Sequence, residues 1–104
     1  MKIEVIDGVL NQWDSGRKIK ISNPNEDVSK VQFYLSNEKT GLGVEPKEVD
    51  GIIIADIPNI YLQSNVGIDV YIVNISGDVK RTIAFRHLHV DERPQPPDYV
   101  YTET

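Results

Sequence analysis

Alternation of apolar and polar residues with a period of two is the feature that most constrains the fold of this chain. Lys-Ile-Lys-Ile at residues 18–21 alternates in this way, as do Val-Gln-Phe-Tyr-Leu at 31–35 and Ile-Asp-Val-Tyr-Ile at 68–72. Successive side chains of a β-strand point to opposite faces, and β-branched and aromatic residues favour strands. The pattern therefore predicts half-buried strands, with one face on a core and the other towards water.

The fold class follows from the number and spacing of these strands. The predicted strands are residues 2–6, 9–13, 17–22, 30–36, 42–49, 51–56, 67–75 and 79–90. Short strands separated by Gly, Asn, Asp and Pro turns favour an antiparallel sandwich or a small barrel over a parallel α/β sheet. We predict an all-β antiparallel sandwich of about eight strands. One short helical turn is expected at residues 58–64, because proline suits a first helical turn.

Two local features of the strands can be predicted more finely. Asp7-Gly8 is expected to form a tight hairpin between residues 2–6 and 9–13, since both residues tolerate positive φ. In the last strand Ile83 and Phe85 share one face, whereas Leu88 and Val90 belong to the other. A β-bulge around residues 86–87 would turn both pairs inward, and we expect it there.

Composition narrows the classes of partner. The chain of 104 residues has no cysteine and a formal net charge of −5. It therefore offers no disulfide framework, and the acidic balance argues against nucleic-acid binding. The start of the sequence lacks the apolar segment of a signal peptide, and the longest apolar run, residues 52–55, is too short for a membrane span. We expect a protein made in the cytoplasm, with neither nucleic acid nor membrane as its partner.

The last fourteen residues, 91–104, differ from the rest of the chain. Pro94, Pro96 and Pro97 are followed by a short aromatic and threonine-rich string. Proline lacks a backbone N–H and disfavours helix in the residue before it, so residues 93–98 should be extended and stiff. We predict a sandwich domain at residues 1–90 and a proline-rich linker at 91–104 that leads to a downstream region.

No set of residues points to catalysis. His87, His89 and Asp91 recur at every second position and could share a strand face, but no cysteine or upstream histidine completes a closed metal site. We interpret them as ordinary exposed strand residues. The sequence has no Gly-x-Ser-x-Gly elbow and no phosphate loop with its lysine. We therefore expect no catalytic, cofactor-binding or metal-binding residues, and no enzyme.

The aromatic residues allow two interpretations. Tyr34 and Tyr71 are expected on the outer face of the sandwich, where they would suit contact with another protein chain. Together with Trp13 and Tyr61 they could instead stack against sugars, as in a small carbohydrate-binding module for cell-wall polysaccharide. Trp13 lies at the end of the first predicted hairpin, where we expect it to anchor the core.

Three stretches, taken together, resemble the N-terminal attachment domain of tail-fibre or upper baseplate proteins of phages and prophages of Gram-positive bacteria. They are Leu-Asn-Gln-Trp-Asp at residues 10–14 with Lys-Ile-Lys-Ile at 18–21, Ala-Asp-Ile-Pro-Asn at 55–59 with Tyr-Leu-Gln at 61–63, and Arg-Pro at 93–94 with Pro-Asp-Tyr-Val-Tyr-Thr-Glu-Thr at 97–104. The likeness covers nearly the whole chain in order. In such proteins the third stretch links the domain to the distal fibre.

The resemblance implies a structural role. It implies a β-sandwich in the virion tail that docks a fibre to the tail tip, with other tail or baseplate proteins as partners. It also implies that the full-length protein is a homotrimer, made in the bacterial host cytoplasm. The residues expected to carry the link are Pro94, Pro96, Pro97, Tyr99 and Tyr101.

Overall fold

Ten β-strands and one 3₁₀ helix make up the computed structural model, which describes residues 1–103; Thr104, the last residue of the predicted linker, lies outside the described residues. The elements, in chain order, are β1 (Lys2–Val5), β2 (Leu10–Asn11), β3 (Lys18–Ser22), β4 (Lys30–Leu35), β5 (Leu42–Val44), β6 (Lys47–Val49), β7 (Ile52–Asp56), the 3₁₀ helix (Asn59–Gln63), β8 (Ile68–Ser76), β9 (Val79–Leu88) and β10 (Val90–Asp91).

Eight of the strands form two four-stranded antiparallel sheets, with strand orders β1-β3-β7-β6 and β5-β4-β8-β9, and β2 and β10 form a separate pair. Alternate residues of each sheet point into one shared core, to which Ile19 and Ile21 come from the first sheet and Phe33 and Ile72 from the second. All four side chains are fully buried. The predicted all-β antiparallel sandwich is therefore confirmed.

The 3₁₀ helix closes one end of the sandwich. It occupies residues 59–63, within the stretch where a short helical turn was expected. Its Leu62 side chain is fully buried in the core, and Ile57 and Pro58 just before it are also buried. The helix is held by the burial of Leu62, which compensates for the weak helix propensity of a segment with Ile60 and Tyr61.

Two predicted strands are each divided in the structure. Residues 42–49 form β5 and β6, which belong to different sheets, because the chain passes from one sheet to the other at Glu45 and Pro46. Proline has no N–H for a ladder hydrogen bond, so it suits this crossing. Residues 79–90 form β9 and the start of β10, with a break at His89. The strand number is therefore ten within the described residues.

The hairpin predicted at Asp7-Gly8 is wrong, although the turn is there. Asp7 and Gly8 do have positive φ, of 68° and 84°. However, β1 pairs with β3, and β2 leaves the sheet to pair in parallel with β10. Leu10 of β2 and Val90 of β10 are both almost fully buried. Burial of this apolar pair, not the turn, decides where the chain goes after Gly8.

The position predicted for the β-bulge is also wrong. The register of β8 and β9 shifts between Ile72, which is opposite Ala84, and Val73, which is opposite Thr82. Ile83 is therefore the extra residue, a few positions before the predicted site. As a result Phe85 faces solvent and is 54% exposed, whereas Leu88 is buried.

Candidate functional site

An aromatic cluster lies on the outer face of the second sheet. Antiparallel pairing places Tyr71 of β8 opposite Phe85 of β9, and Tyr34 of β4 opposite Asp69 of β8. The ring centroids of Tyr34 and Tyr71 are 5.5 Å apart at 87°, and those of Tyr71 and Phe85 are 5.0 Å apart at 49°. We call Tyr34, Tyr71 and Phe85 the aromatic face. The first contact is edge-to-face and the second is tilted, and together they fix the rings relative to one another.

Polar groups border the aromatic face at one end. His87 Nδ1 lies 2.7 Å from Asp69 Oδ1, and the Ser36 hydroxyl lies 3.1 Å from that carboxylate oxygen and 3.2 Å from His87 Nδ1. In a hydrolytic triad the serine and the carboxylate engage opposite nitrogens of the imidazole. Here both engage Nδ1, so this cluster lacks the proton-relay geometry. Its arrangement is that of a polar border around apolar rings.

The aromatic face lies under a shallow surface depression. A shallow depression of about 390 Å³ lies over Tyr34 and Tyr71, with Glu38, Asp69 and Thr82 around it. Tyr34 stands at 87° to Tyr71, and Phe85 is 54% exposed. Apolar rings inside a polar border are typical of protein contact surfaces.

The predicted linker lies along the sandwich, and we call residues 93–103 the C-terminal strap. Tyr99 packs edge-on against Trp13, with ring centroids 5.0 Å apart. The indole Nε1 of Trp13 donates a hydrogen bond to the Arg93 carbonyl at 3.2 Å, and Gln63 Nε2 donates one to the Tyr99 hydroxyl at 3.1 Å. Trp13 is half-buried at this contact and is not a core residue, contrary to the expectation.

The end of the strap binds the start of the 3₁₀ helix. The Glu103 carboxylate accepts hydrogen bonds from the backbone N–H groups of Asn59, at 2.8 Å, and Ile60, at 3.0 Å. Asn59 Nδ2 donates to the Thr102 carbonyl at 2.7 Å. The first N–H groups of a helix have no partner within it, so an acceptor here stabilises the turn.

The residues predicted to carry the link lie at different places on the strap. The Tyr99 N–H donates to the Pro96 carbonyl at 3.1 Å, so the chain turns between these residues. Pro94 and Pro97 are exposed, and Pro96 is half-buried. The Tyr101 hydroxyl donates to Glu103 at 3.2 Å. Desolvation, followed by this hydrogen bond and the charge of Glu103, raises the pKa of Tyr101.

The two histidines of the sequence have separate carboxylate partners. His87 contacts Asp69 on the sheet face, whereas His89 Nε2 lies 2.7 Å from Asp91 Oδ1 in the next segment. Among residues 1–103, no group of three or more His, Cys, Asp or Glu residues is arranged to hold a metal ion.

Sequence reasoning placed Tyr34 and Tyr71 on the outer face but missed two residues of these surfaces. A bulge at residues 86–87 would turn Phe85 towards the core, whereas the bulge at Ile83 turns it towards solvent. No sequence pattern indicates the role of Glu103, because the two N–H groups that it binds lie more than forty residues away in sequence. The exposed ring of Phe85 could have been recognised only from the correct register.

No protein-family model, curated protein or solved structure matches this chain. Within residues 1–103, no helix has the length and hydrophobicity that a membrane span requires.

Proposed function

We propose that this chain is the structural attachment domain of a phage tail-fibre or baseplate protein, which docks a fibre to the tail tip. The observation that carries the proposal is the meeting of the three stretches on which the resemblance rests. Trp13 comes from the first stretch, residues 59–63 from the second and residues 99–103 from the third. Although far apart in sequence, they form one contiguous contact at one end of the sandwich.

This contact is made of backbone as well as side-chain groups. The Trp13 N–H donates to the Leu62 carbonyl at 2.6 Å, and Gln12 Nε2 donates to the Gln63 carbonyl at 3.0 Å. The first stretch therefore contacts the 3₁₀ helix. The first stretch and the helix together contact the strap. A segment attached after the strap would leave the domain from a fixed point and not from a free end. Fixed geometry of this kind is what an adaptor between two rigid bodies requires.

The proposal includes partners and location. The aromatic face supplies a surface for another tail or baseplate protein, because exposed aromatic residues are enriched at protein interfaces. The full-length protein would be a homotrimer, made in the bacterial host cytoplasm and incorporated into the virion tail. The residues that would carry the link are Pro94, Pro96, Pro97, Tyr99 and Tyr101 of the strap. Of these, Tyr99 contacts the sandwich through Trp13 and Gln63.

Association with tail particles tests the proposal. Particles released from the bacterium that encodes the chain would be purified by sedimentation, and the peptides of this chain quantified across the gradient by mass spectrometry. We expect them to sediment with the tail proteins in a constant ratio after a high-salt wash. Recovery of the chain only in the low-mass fractions would contradict the proposal.

The alternative is a carbohydrate-binding module for cell-wall polysaccharide, and the exposed ring of Phe85 beside Tyr71 is the observation that favours it. Trp13 is covered by Tyr99, so the aromatic face is the surface to monitor. Solubilised cell-wall polysaccharide would be titrated into the labelled protein, and the NMR signals of Tyr71 and Phe85 followed. A saturable shift that Phe85→Ala abolishes would support the module; unchanged signals favour the adaptor.

A further inference from the structure

Strand β9 has an edge that is not paired with another strand. It is the longest strand, with ten residues, and it lies at the end of its sheet. In the part of the chain that the structure describes, its only strand partner is β8. The backbone N–H and C=O groups on the other side are therefore free to pair with a further strand.

This edge is basic in an acidic chain. The strand sequence Val-Lys-Arg-Thr-Ile-Ala-Phe-Arg-His-Leu contains Lys80, Arg81 and Arg86 and no carboxylate, whereas the whole chain has a net charge of −5. Arg81 pairs with Glu26. Across residues 1–103, no ion pair engages Lys80 or Arg86. Positive charge is therefore left unneutralised along the edge.

The same charges disfavour a second copy of this chain as the occupant. Two β9 strands paired edge to edge would bring their basic side chains together, and like charges opposite each other destabilise a strand pair. The bulge at Ile83 further interrupts regular pairing. Such features protect an edge against self-association, but they leave it open to a segment of opposite charge.

The two sides of β9 specify different side chains in a partner strand. A residue beside Phe85 would lie on the outer face, next to an exposed ring. A residue beside Arg86 would lie on the other side, at an open depression of about 460 Å³ between the ends of β1 and β9, which Glu4, Val5, Val9 and Arg86 help to line. The Glu4 carboxylate is paired with Lys2 at 3.7 Å. A partner strand whose side chains are apolar on one face and acidic on the other would match these two sides of β9.

We propose that β9 binds an extended, acidic segment of a partner protein by strand addition. Its apolar side chains pack beside Phe85 and its carboxylates lie near Arg86, while Lys80 adds positive charge on the outer face at the other end of the strand. Main-chain hydrogen bonds give affinity in this mode, and alternate side chains give specificity. The inference goes beyond the proposed function, because it would hold for this edge whether or not the chain belongs to a phage tail.

Two synthetic ten-residue peptides test the inference. One alternates glutamate with valine, tyrosine and threonine, and the other has lysine at each glutamate position. Each would be titrated into the isotope-labelled chain, with amide shifts and hydrogen exchange measured by NMR. We expect the acidic peptide to shift and protect amides of Ala84–Leu88, and the lysine peptide to bind at least about ten-fold more weakly.

Charge reversal at the edge makes the test specific. The double variant Lys80→Glu/Arg86→Glu should lose about ten-fold in affinity for the acidic peptide, or reverse the preference between peptides. Lys47→Glu, on the edge strand β6 of the other sheet, is the matched control and should leave the affinity unchanged. Equal affinity for the two peptides, shifts confined to another edge, or no binding would overturn the proposal. So would a dimer in light scattering that the double variant abolishes, since that would make a second copy the occupant.

Discussion

Arg17 organises the turn between β1 and β2 with a single guanidinium group. Its Nη atoms donate to the carbonyls of Ile6, Gly8 and Val9 at 3.0, 2.6 and 2.8 Å, and to the Asp14 carboxylate at 2.7 Å. The side chain is only 13% exposed. A planar fork with several N–H donors suits a loop that presents several carbonyls at once. The turn at residues 6–9 is therefore stabilised by the side chain of Arg17, although it does not connect two paired strands.

Replacing Arg17 with lysine should destabilise the protein, because an ammonium group cannot reach the same acceptors. We expect Arg17→Lys to lower the free energy of unfolding by about 1–3 kcal/mol in urea denaturation. Arg81→Lys is the control, since Arg81 forms an exposed ion pair with Glu26, and it should change stability by less than about 1 kcal/mol. Equal effects of the two variants would show that the loop does not depend on the guanidinium fork.

The phenol of Tyr61 couples stability to alkaline pH. Burial, followed by the neighbouring Tyr34 and Glu38, raises the pKa of Tyr61 above its ordinary value of 10.0. The folded state therefore favours the neutral phenol. The contribution of Tyr61 to the free energy of unfolding is complete below the unfolded pKa and is lost as the pH rises through the folded pKa. From about pH 9 to about pH 11, Tyr61→Phe should lose less stability than the unmodified chain in urea denaturation. Parallel pH curves for the two proteins would argue against this coupling.

At the scale of elements, β5 depends on Gly41, which precedes it, and not on Gly43 within it. A Cβ on Gly41 would lie 2.3 Å from the Phe33 carbonyl oxygen and 2.7 Å from a ring carbon of Tyr34, whereas one on Gly43 would meet nothing closer than 3.9 Å. Gly41→Ala should therefore cost about 1–3 kcal/mol of stability and displace the ring of Tyr34. Gly43→Ala is the matched control and should stay within about 0.5 kcal/mol. Thermal unfolding of both variants, with NMR of the Tyr34 ring, would reveal the difference.

The strap should detach when its aromatic contact is removed. Tyr99→Ala eliminates the ring that covers Trp13, the single tryptophan of the chain. We expect a red shift of the tryptophan fluorescence, faster amide exchange in residues 99–103 and a loss of about 1–2 kcal/mol in stability. Val100→Ala is the control, because Val100 is 76% exposed and should leave the fluorescence unchanged. An unshifted spectrum in Tyr99→Ala would mean that the strap is held by its other contacts.

The individual strands could be predicted from the sequence better than their arrangement. Period-two alternation located β3, β4 and β8 within one or two residues, because each has one face in the core and one in solvent. The crossing between sheets at Pro46 and the parallel pairing of β2 with β10 could not be derived. They depend on which apolar residues are buried together, and this is decided by the assembled sandwich rather than by local residues.

The candidate surfaces were predictable to a similar extent. Tyr34 and Tyr71 alternate with buried apolar residues in their strands, so the strand pattern predicts that they point outwards. Phe85 did not follow, because one extra residue at Ile83 reverses the faces of all residues after it. The docking of the strap depends on contacts between residues more than forty positions apart, such as Glu103 with Asn59. Short-range patterns carry no information on such contacts.

At the scale of the whole molecule, the sandwich presents different surfaces in different directions. One end holds the strap against the 3₁₀ helix, the outer face of the second sheet carries the aromatic face, and β9 offers a basic edge. A protein that joins other proteins requires separate contact surfaces on one rigid body. This arrangement supports the proposed adaptor role, in which the strap determines where an attached segment leaves and the other surfaces meet the partners.

Locating the chain on tail particles is the measurement that tests the proposed role most directly. Antibodies raised against the purified sandwich would be coupled to gold and applied to particles released from the bacterium that encodes it. Electron microscopy should then show label at one end of the tail, where fibres attach. Label spread along the tail tube, or particles with no label while the free chain is recognised in the same sample, would contradict the attachment role.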